Sequence, residues 1–206
     1  MKLIQPKLDL SKADKTYYSA TETPALVQFD QLTYLSITNK GAPDGPIFAE
    51  ATEALYTVAY SVKGICKKGI HDFTVSKLEG LWWVESDQDA LDVPREEWHW
   101  KLLIRMPEFV NQEIVEQALA NAMAKKKDLE QIHRVTFDHL HEGTCVQMMH
   151  IGPYSTEPVT IKKIQAFMHQ HGLIQNGLHH EIYLSDPRKV HPSSMKTILR
   201  FPVKPQ

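Results

Sequence analysis

His179-His180-Glu181-Ile182-Tyr183-Leu184-Ser185-Asp186-Pro187-Arg188 is the stretch on which the reading of this chain turns. Polar and apolar residues alternate along its first half, and Asp186-Pro187 stops the run. Alternation at period two predicts a half-buried strand. Ile182 and Leu184 are expected to face a core, with His179, Glu181 and Tyr183 on the other side. A carboxylate beside a phenol on one strand face is either ordinary solvated surface or the polar floor of a pocket, and the strand alone does not choose.

Working outward, the chain has 206 residues, ample for a real core, with 42% hydrophobic and 23% charged residues, ordinary for a globular protein. A net charge of -2 gives no electrostatic footprint for nucleic acid, so no nucleic-acid partner is expected. The basic run Lys125-Lys126-Lys127 closes a helical pattern, where cations favour the helix dipole. Cys66 and Cys145 stand far apart and imply neither a zinc site nor a disulfide framework. Met1 to Lys12 has no apolar run of signal-peptide length, and no later stretch could span a membrane; a reduced, cytoplasmic setting is expected, without membrane partners.

Taken in order, 26–29 and 32–38 are strand-like, and Gly41 to Pro46 is a loop by its turn chemistry. Ile47, Ala51, Ala54, Leu55, Val58, Ala59, Val62 and Ile65 then recur at helical spacing. Residues 73–84 read as two short strands or one bent at Gly80, and 98–106 as a strand ended by Pro107. A second helix is expected over 108–127. The pattern then starts again: strands at 135–141 and 144–151, a Gly152-Pro153-Tyr154 turn, a helix over 158–171 stopped by Gly172, and strands at 179–185 and 195–203.

The order strand, strand, helix, strand, strand thus occurs twice. Lys101-Leu102-Leu103-Ile104-Arg105-Met106-Pro107 matches Lys196-Thr197-Ile198-Leu199-Arg200-Phe201-Pro202, and Leu78-Glu79-Gly80-Leu81-Trp82 matches His180-Glu181-Ile182-Tyr183-Leu184. Asn39-Lys40-Gly41-Ala42-Pro43 ends its strand as His150-Ile151-Gly152-Pro153-Tyr154 ends the other. The expectation is an α+β fold built from a duplicated module with pseudo-two-fold symmetry, an antiparallel sheet carrying helices on one face, and a ligand cleft on the other. One domain over 1–206 is expected, with repeat one at about 23–107, a connecting helix at about 108–127 and repeat two at about 133–204. Symmetry would place Glu79 and Glu181 on opposite sides of the cleft floor.

Histidine pairs at His139/His141, His169/His171 and His179/His180 lack a third ligand at suitable spacing, so no metal is expected. No phosphate-binding glycine loop, nucleophile elbow or Cys–His pair appears, and no cofactor is expected. Four tryptophans, Trp82, Trp83, Trp98 and Trp100, crowd two strands. Alternation puts Trp83 with Glu79 and Leu81 and turns Trp82 toward the helices. The tryptophans exceed what a small core needs, and at least two are expected to line a pocket. Tyr154, after Gly-Pro, is read either as a turn residue or as a rim residue.

Together, the stretch His180 to Arg188, Met149 to Tyr154, Glu79 to Trp83 and Glu53 to Tyr60 closely resemble the stand-alone GyrI-like small-molecule-binding domain family, from about Tyr17 to the C-terminus. Asp9-Leu10-Ser11-Lys12 follows the family's acidic-basic opening only loosely. The resemblance implies a cleft between the halves, kinship with the drug-sensing domains of MerR-type and AraC-type regulators, and a glutamate ringed by aromatics that meets flat cationic drugs. Some stand-alone members open the cyclopropane ring of DNA-alkylating natural products. Glu181 stands at the position of the family's key acid. The resemblance therefore implies a small-molecule ligand met by Glu181, which is expected to act as general base; strand alternation adds Tyr183 as hydrogen-bond donor, and the repeat, the alternation and the Gly-Pro turn add Glu79, Trp83, Trp100 and Tyr154 as expected ligand contacts. The competing reading is a non-enzymatic binder that sequesters or senses drugs.

Overall fold

The computed structural model describes residues 6–69, 71–88 and 90–206. Among these lie five α-helices: α1 (Leu10–Ala13), α2 (Lys15–Tyr18), α3 (Pro46–Lys68), α4 (Gln112–Lys125) and α5 (Glu157–Gln170). Nine strands accompany them: β1 (Ala25–Phe29), β2 (Leu32–Lys40), β3 (Leu78–Trp83), β4 (His99–Arg105), β5 (Thr136–Leu140), β6 (Gly143–Ile151), β7 (Leu173–Gln175), β8 (His179–Tyr183) and β9 (Lys196–Pro205). The fold is α+β with antiparallel strand pairing. The chain divides into two units. Among the described residues, one holds 6–13, 32–78 and 82–140; the other holds Asp14–Gln31, Glu79–Leu81 and His141–Gln206.

In the first unit β2 pairs with β4 on one side and β5 on the other. Leu35 lies opposite Ile104, Ile37 opposite Leu102 and Asn39 opposite Trp100, so alternate positions of both strands share one face. That face packs on α3 through Ala51, Ala54, Leu55, Val58 and Val62. The small side chains of Ala51, Ala54 and Ala59 leave room on α3 for α4, which packs with Val115, Ala118 and Ala122. Ile47, expected on the stripe, is exposed in the helix's first turn. Pro46 opens α3 without losing a needed donor, and Lys67 and Lys68 close it where cations suit the dipole. The Asn111 side chain accepts from the Ile114 amide and caps α4, so this helix starts later than 108.

In the second unit β6 lies between β1 and β9, and β9 pairs with β8 and with the short β7. Val146, Met148, Leu199, Phe201 and Val203 cluster with Ile164 and Met168 of α5. Gln147, Arg200 and His180 stand in one row on the opposite face. Gly152 ends β6 with a φ of 141°, and Gly41 ends β2 with a φ of 136°, a shared break that suits glycine and marks the repeat.

The repeat differs from expectation in one respect. β1 precedes α3 in sequence but pairs with β6 of the second unit; β5 precedes α5 but pairs with β2 of the first. Each module's leading strand has been exchanged, leaving strand–helix–strand–strand as the repeated core.

Candidate functional site

Both faces of β8 carry ionisable groups, and they do different work. On the face away from α5, Arg200 is fully buried with its guanidinium between two rings, 4.3 Å from the Tyr17 centroid and 4.0 Å from that of Phe29. Its Nη1 donates to Glu142 Oε2 at 2.9 Å, its Nε to Gln147 Oε1 at 3.1 Å, and its Nη2 to the Tyr17 carbonyl at 3.0 Å. His180, also fully buried, donates from Nδ1 to Glu142 Oε1 at 2.9 Å and from Nε2 to Glu79 Oε2 at 3.0 Å. Tyr17 donates its hydroxyl to the same Glu79 oxygen.

An imidazole with a carboxylate on each nitrogen is held doubly protonated. Burial opposes that charge, but Glu142 beside it and the hydrogen bonds of Glu142 and Glu79 prevail, raising His180 to about 9. Burial likewise raises the Glu142 carboxyl, and the charges and hydrogen bonds of His180 and Arg200 outweigh it, bringing it down to about 2. The arrangement is closed on itself. Tyr17 roofs it with no exposed surface.

Glu79 is therefore not the counterpart of Glu181 across a floor. It is 0% exposed and engaged by His180 and Tyr17, so it offers a ligand no contact in this conformation. Trp100 is likewise 0% exposed: it packs in the first unit's core, edge-on to Phe48, and donates its indole N–H to the Gly41 carbonyl at 3.0 Å. Alternation with Leu102 and Ile104 turns it inward. Trp82 faces α3 and stacks on Phe48, with 5.9 Å between centroids, as alternation predicts. Trp83 is half-buried and stacks on His99 at 5.4 Å.

Glu181 lies on the other face of β8. It is opposite Leu199, and Tyr183 is opposite Thr197, so both share the face that α5 covers rather than the bare face expected. The reason is that β8 buries both sides: Ile182 and His180 are fully buried as well. Glu181 Oε2 accepts from the Tyr183 hydroxyl at 2.8 Å, and His179 Nε2 lies 3.0 Å from Oε1. The His179 ring is stacked on Phe201, centroids 4.5 Å apart, and its Nδ1 is buried without a partner among the described residues. Tyr154 meets Tyr183 edge-on at 5.8 Å and remains 42% exposed. Two phenols and a carboxylate thus form a half-open polar edge on an apolar bed. Of the expected site residues, Glu181, Tyr183 and Tyr154 come together here.

Glu157 escaped the sequence reading. An acid just before Pro158 is explained well enough by the helix dipole, which would keep it ionised. In the structure it is 6% exposed, and burial, then the Glu181 charge, push it up to about 9 against a hydrogen bond with Thr197. The nearby His150 is a brace instead: Nδ1 bonds Thr160 at 2.9 Å, and Nε2 lies 3.2 Å from both the Pro153 carbonyl and the Thr156 hydroxyl.

Two surface grooves, one near Leu8, Asp9, His71 and Phe109 and one along Lys125 to Glu130, belong to the first unit and include none of these residues. No helix among the described residues is long and apolar enough to cross a membrane.

Comparison with known proteins bears on the family and the fold. Residues 22–204 match the model of the GyrI-like small molecule binding domain. A crystal structure of an uncharacterized conserved protein from Listeria innocua is 40% identical, covering 96% of this chain and 100% of that one, with a TM-score of 0.90. A hydrolase from Listeria innocua is 38% identical over 96% of this chain and 100% of its own, with a TM-score of 0.85. The EcmrR C-terminal domain shares the fold at 12% identity, covering 89% of this chain and 98% of that one, with a TM-score of 0.61. No curated protein matches the chain. At this coverage the chain belongs to the GyrI-like small-molecule-binding domain family.

Proposed function

We propose that this protein binds flat, largely apolar or cationic small molecules at the Glu181–Tyr183–Tyr154 edge, and that it hydrolyses cyclopropanoid electrophiles with Glu181 as general base. The observation that carries the reading is the setting of Glu181: a carboxylate with a side chain 13% exposed, braced by a phenol and an imidazole on an apolar bed. A carboxylate short of water attracts a cation, and rings beside it add a cation–π contribution of about 0.5–2 kcal/mol.

For turnover, Tyr183 supplies a second element. A phenol has one proton to donate, and here it goes to Glu181. When a ligand carbonyl takes that proton's hydrogen bond, the ring system is polarised and Glu181 Oε2 is freed to accept a proton from water. Water then attacks the strained carbon, the cyclopropane bond breaks, and its electrons pass into the conjugated carbonyl; the resulting enolate oxygen takes the Tyr183 proton, and Glu181 returns to Tyr183 the proton it took from water. The Listeria innocua relative described as a hydrolase supports reading this chain as an enzyme.

The test is incubation with a cyclopropane-fused dienone, following ring-opened product by mass spectrometry. Wild type is expected to turn it over and Glu181→Gln to lose about 100-fold or more of the rate. Equal, background-level conversion in both, with binding retained by fluorescence anisotropy of a planar dye, would leave the sequestering or sensing reading in its place.

A further inference from the structure

Glu157 stands at the entrance of α5 beside the edge just described. Its Oε1 is buried and has no hydrogen-bond partner among the described residues. A bare carboxylate oxygen out of water is costly, and a second carboxylate nearby makes it more so. The groups that bear on it are Glu181 from β8 and Thr197 from β9. Tyr154, in the preceding turn, is influenced by Glu157, Glu181 and Asp186, and burial first and these charges next push its phenol up to about 12, so it stays neutral. His179 reaches the group only through Glu181. No lysine or arginine is among the groups acting on Glu157.

We propose that the buried Glu157 carboxyl, with its unpartnered Oε1, holds a proton when the site is empty and releases it to solvent when a cationic ligand binds at Glu181. This rests on Glu181 being the ligand-contacting acid. The charge balance is simple: ligand cation plus protonated site gives complex plus one free proton, with no bond to carbon made or broken. The arriving cation replaces the proton as the charge that offsets the two carboxylates, and the orphaned Oε1 gains a partner. Burial and Glu181 keep Glu157 protonated at neutral pH, so the coupling operates there.

Two consequences can be read. Affinity for a permanent planar cation rises with pH, by up to about tenfold per unit between pH 7 and 9, because the proton that competes with it becomes scarce. Affinity for an uncharged planar analogue stays flat. The experiment is calorimetric titration of the full chain with N-methylacridinium, which has no titratable proton, in buffers of different ionisation enthalpy at pH 7. Wild type is expected to release close to one proton per cation bound. Glu157→Gln is expected to bind without release, and anthracene-9-methanol to bind wild type without release. Cation binding by wild type with no proton released overturns the proposal, as does undiminished release from Glu157→Gln. Failure of both probes to bind overturns the Glu181 reading itself and the proposal with it.

Discussion

Removing the charge of Glu142 is the sharpest test of the buried network. Glu142→Gln preserves shape but leaves Arg200 and the His180 imidazolium with Glu79 as the remaining carboxyl partner. Breaking a buried pair from one side costs about 3–5 kcal/mol. The displacement of Glu142 from its ordinary 4.5 to about 2 corresponds to roughly 3 kcal/mol, and that of His180 from 6.5 to about 9 is of the same size. These are one interaction seen from its two partners and do not add. The pH dependence follows from the signs. His180 has a raised folded value, so its contribution is complete below pH 6.5 and is lost as pH rises through 9. Glu142 has a lowered one, so its contribution is complete above pH 4.5 and is lost as pH falls through 2. Guanidinium unfolding from pH 2 to 10 measures both. Wild type should lose stability between pH 6.5 and 9; Glu142→Gln should be weaker by several kcal/mol at pH 6 and show a shallower alkaline decline. The residual slope belongs to Glu157, which has the same sign, and to the part of the His180 shift that Glu79 still holds. A loss under about 1 kcal/mol at pH 6, or an unchanged alkaline slope, would refute the reasoning; so would an NMR titration showing His180 neutral at pH 8.

Glu157→Gln should stabilise the fold at pH 8 to 9 by roughly 1–3 kcal/mol, since the amide fills the buried position without a charge to suppress; thermal melts across pH check this. Its raised value means that its cost is absent below pH 4.5 and grows as pH rises toward 9. Trp100→Ala should cost about 3–5 kcal/mol in denaturant titrations while leaving the dissociation constant of a planar cation unchanged, because the indole is core. Gly152→Ala should cost roughly 1–3 kcal/mol, measured the same way: its φ of 141° disfavours a side chain, and the new Cβ would come within 3.0 Å of Thr156 Oγ1.

The elements were largely legible because their signals are local. Alternation marked β8 and β9, and apolar spacing marked α3 and α5. Pairing was less so. Nothing within residues 25–29 or 136–140 says that these strands serve opposite units, since that choice is made by partners more than a hundred residues away. The site was half legible. Glu181 and Tyr183 declared themselves by sharing a strand face, but the face was misassigned because Ile182 and Leu184 read as the helix-covered side; Ile182 in fact shares its buried face with His180, whose carboxylate partners make that interior position tolerable. Glu79, placed by the repeat on the cleft floor, is instead one of those buried carboxylate partners. Glu157 was invisible because a helix-start acid has a sufficient bland explanation, and its isolation is a fact about packing.

The exchange of leading strands bears on how such a protein can be cut or inherited. A break near Lys127 would separate two fragments of similar pattern, yet each would carry a strand whose hydrogen-bonding edge lies in the other fragment. Neither piece can then satisfy its own ladder, and mixing them should restore what each lacks. The duplication, once strands had traded places, ceased to be reversible by simple deletion.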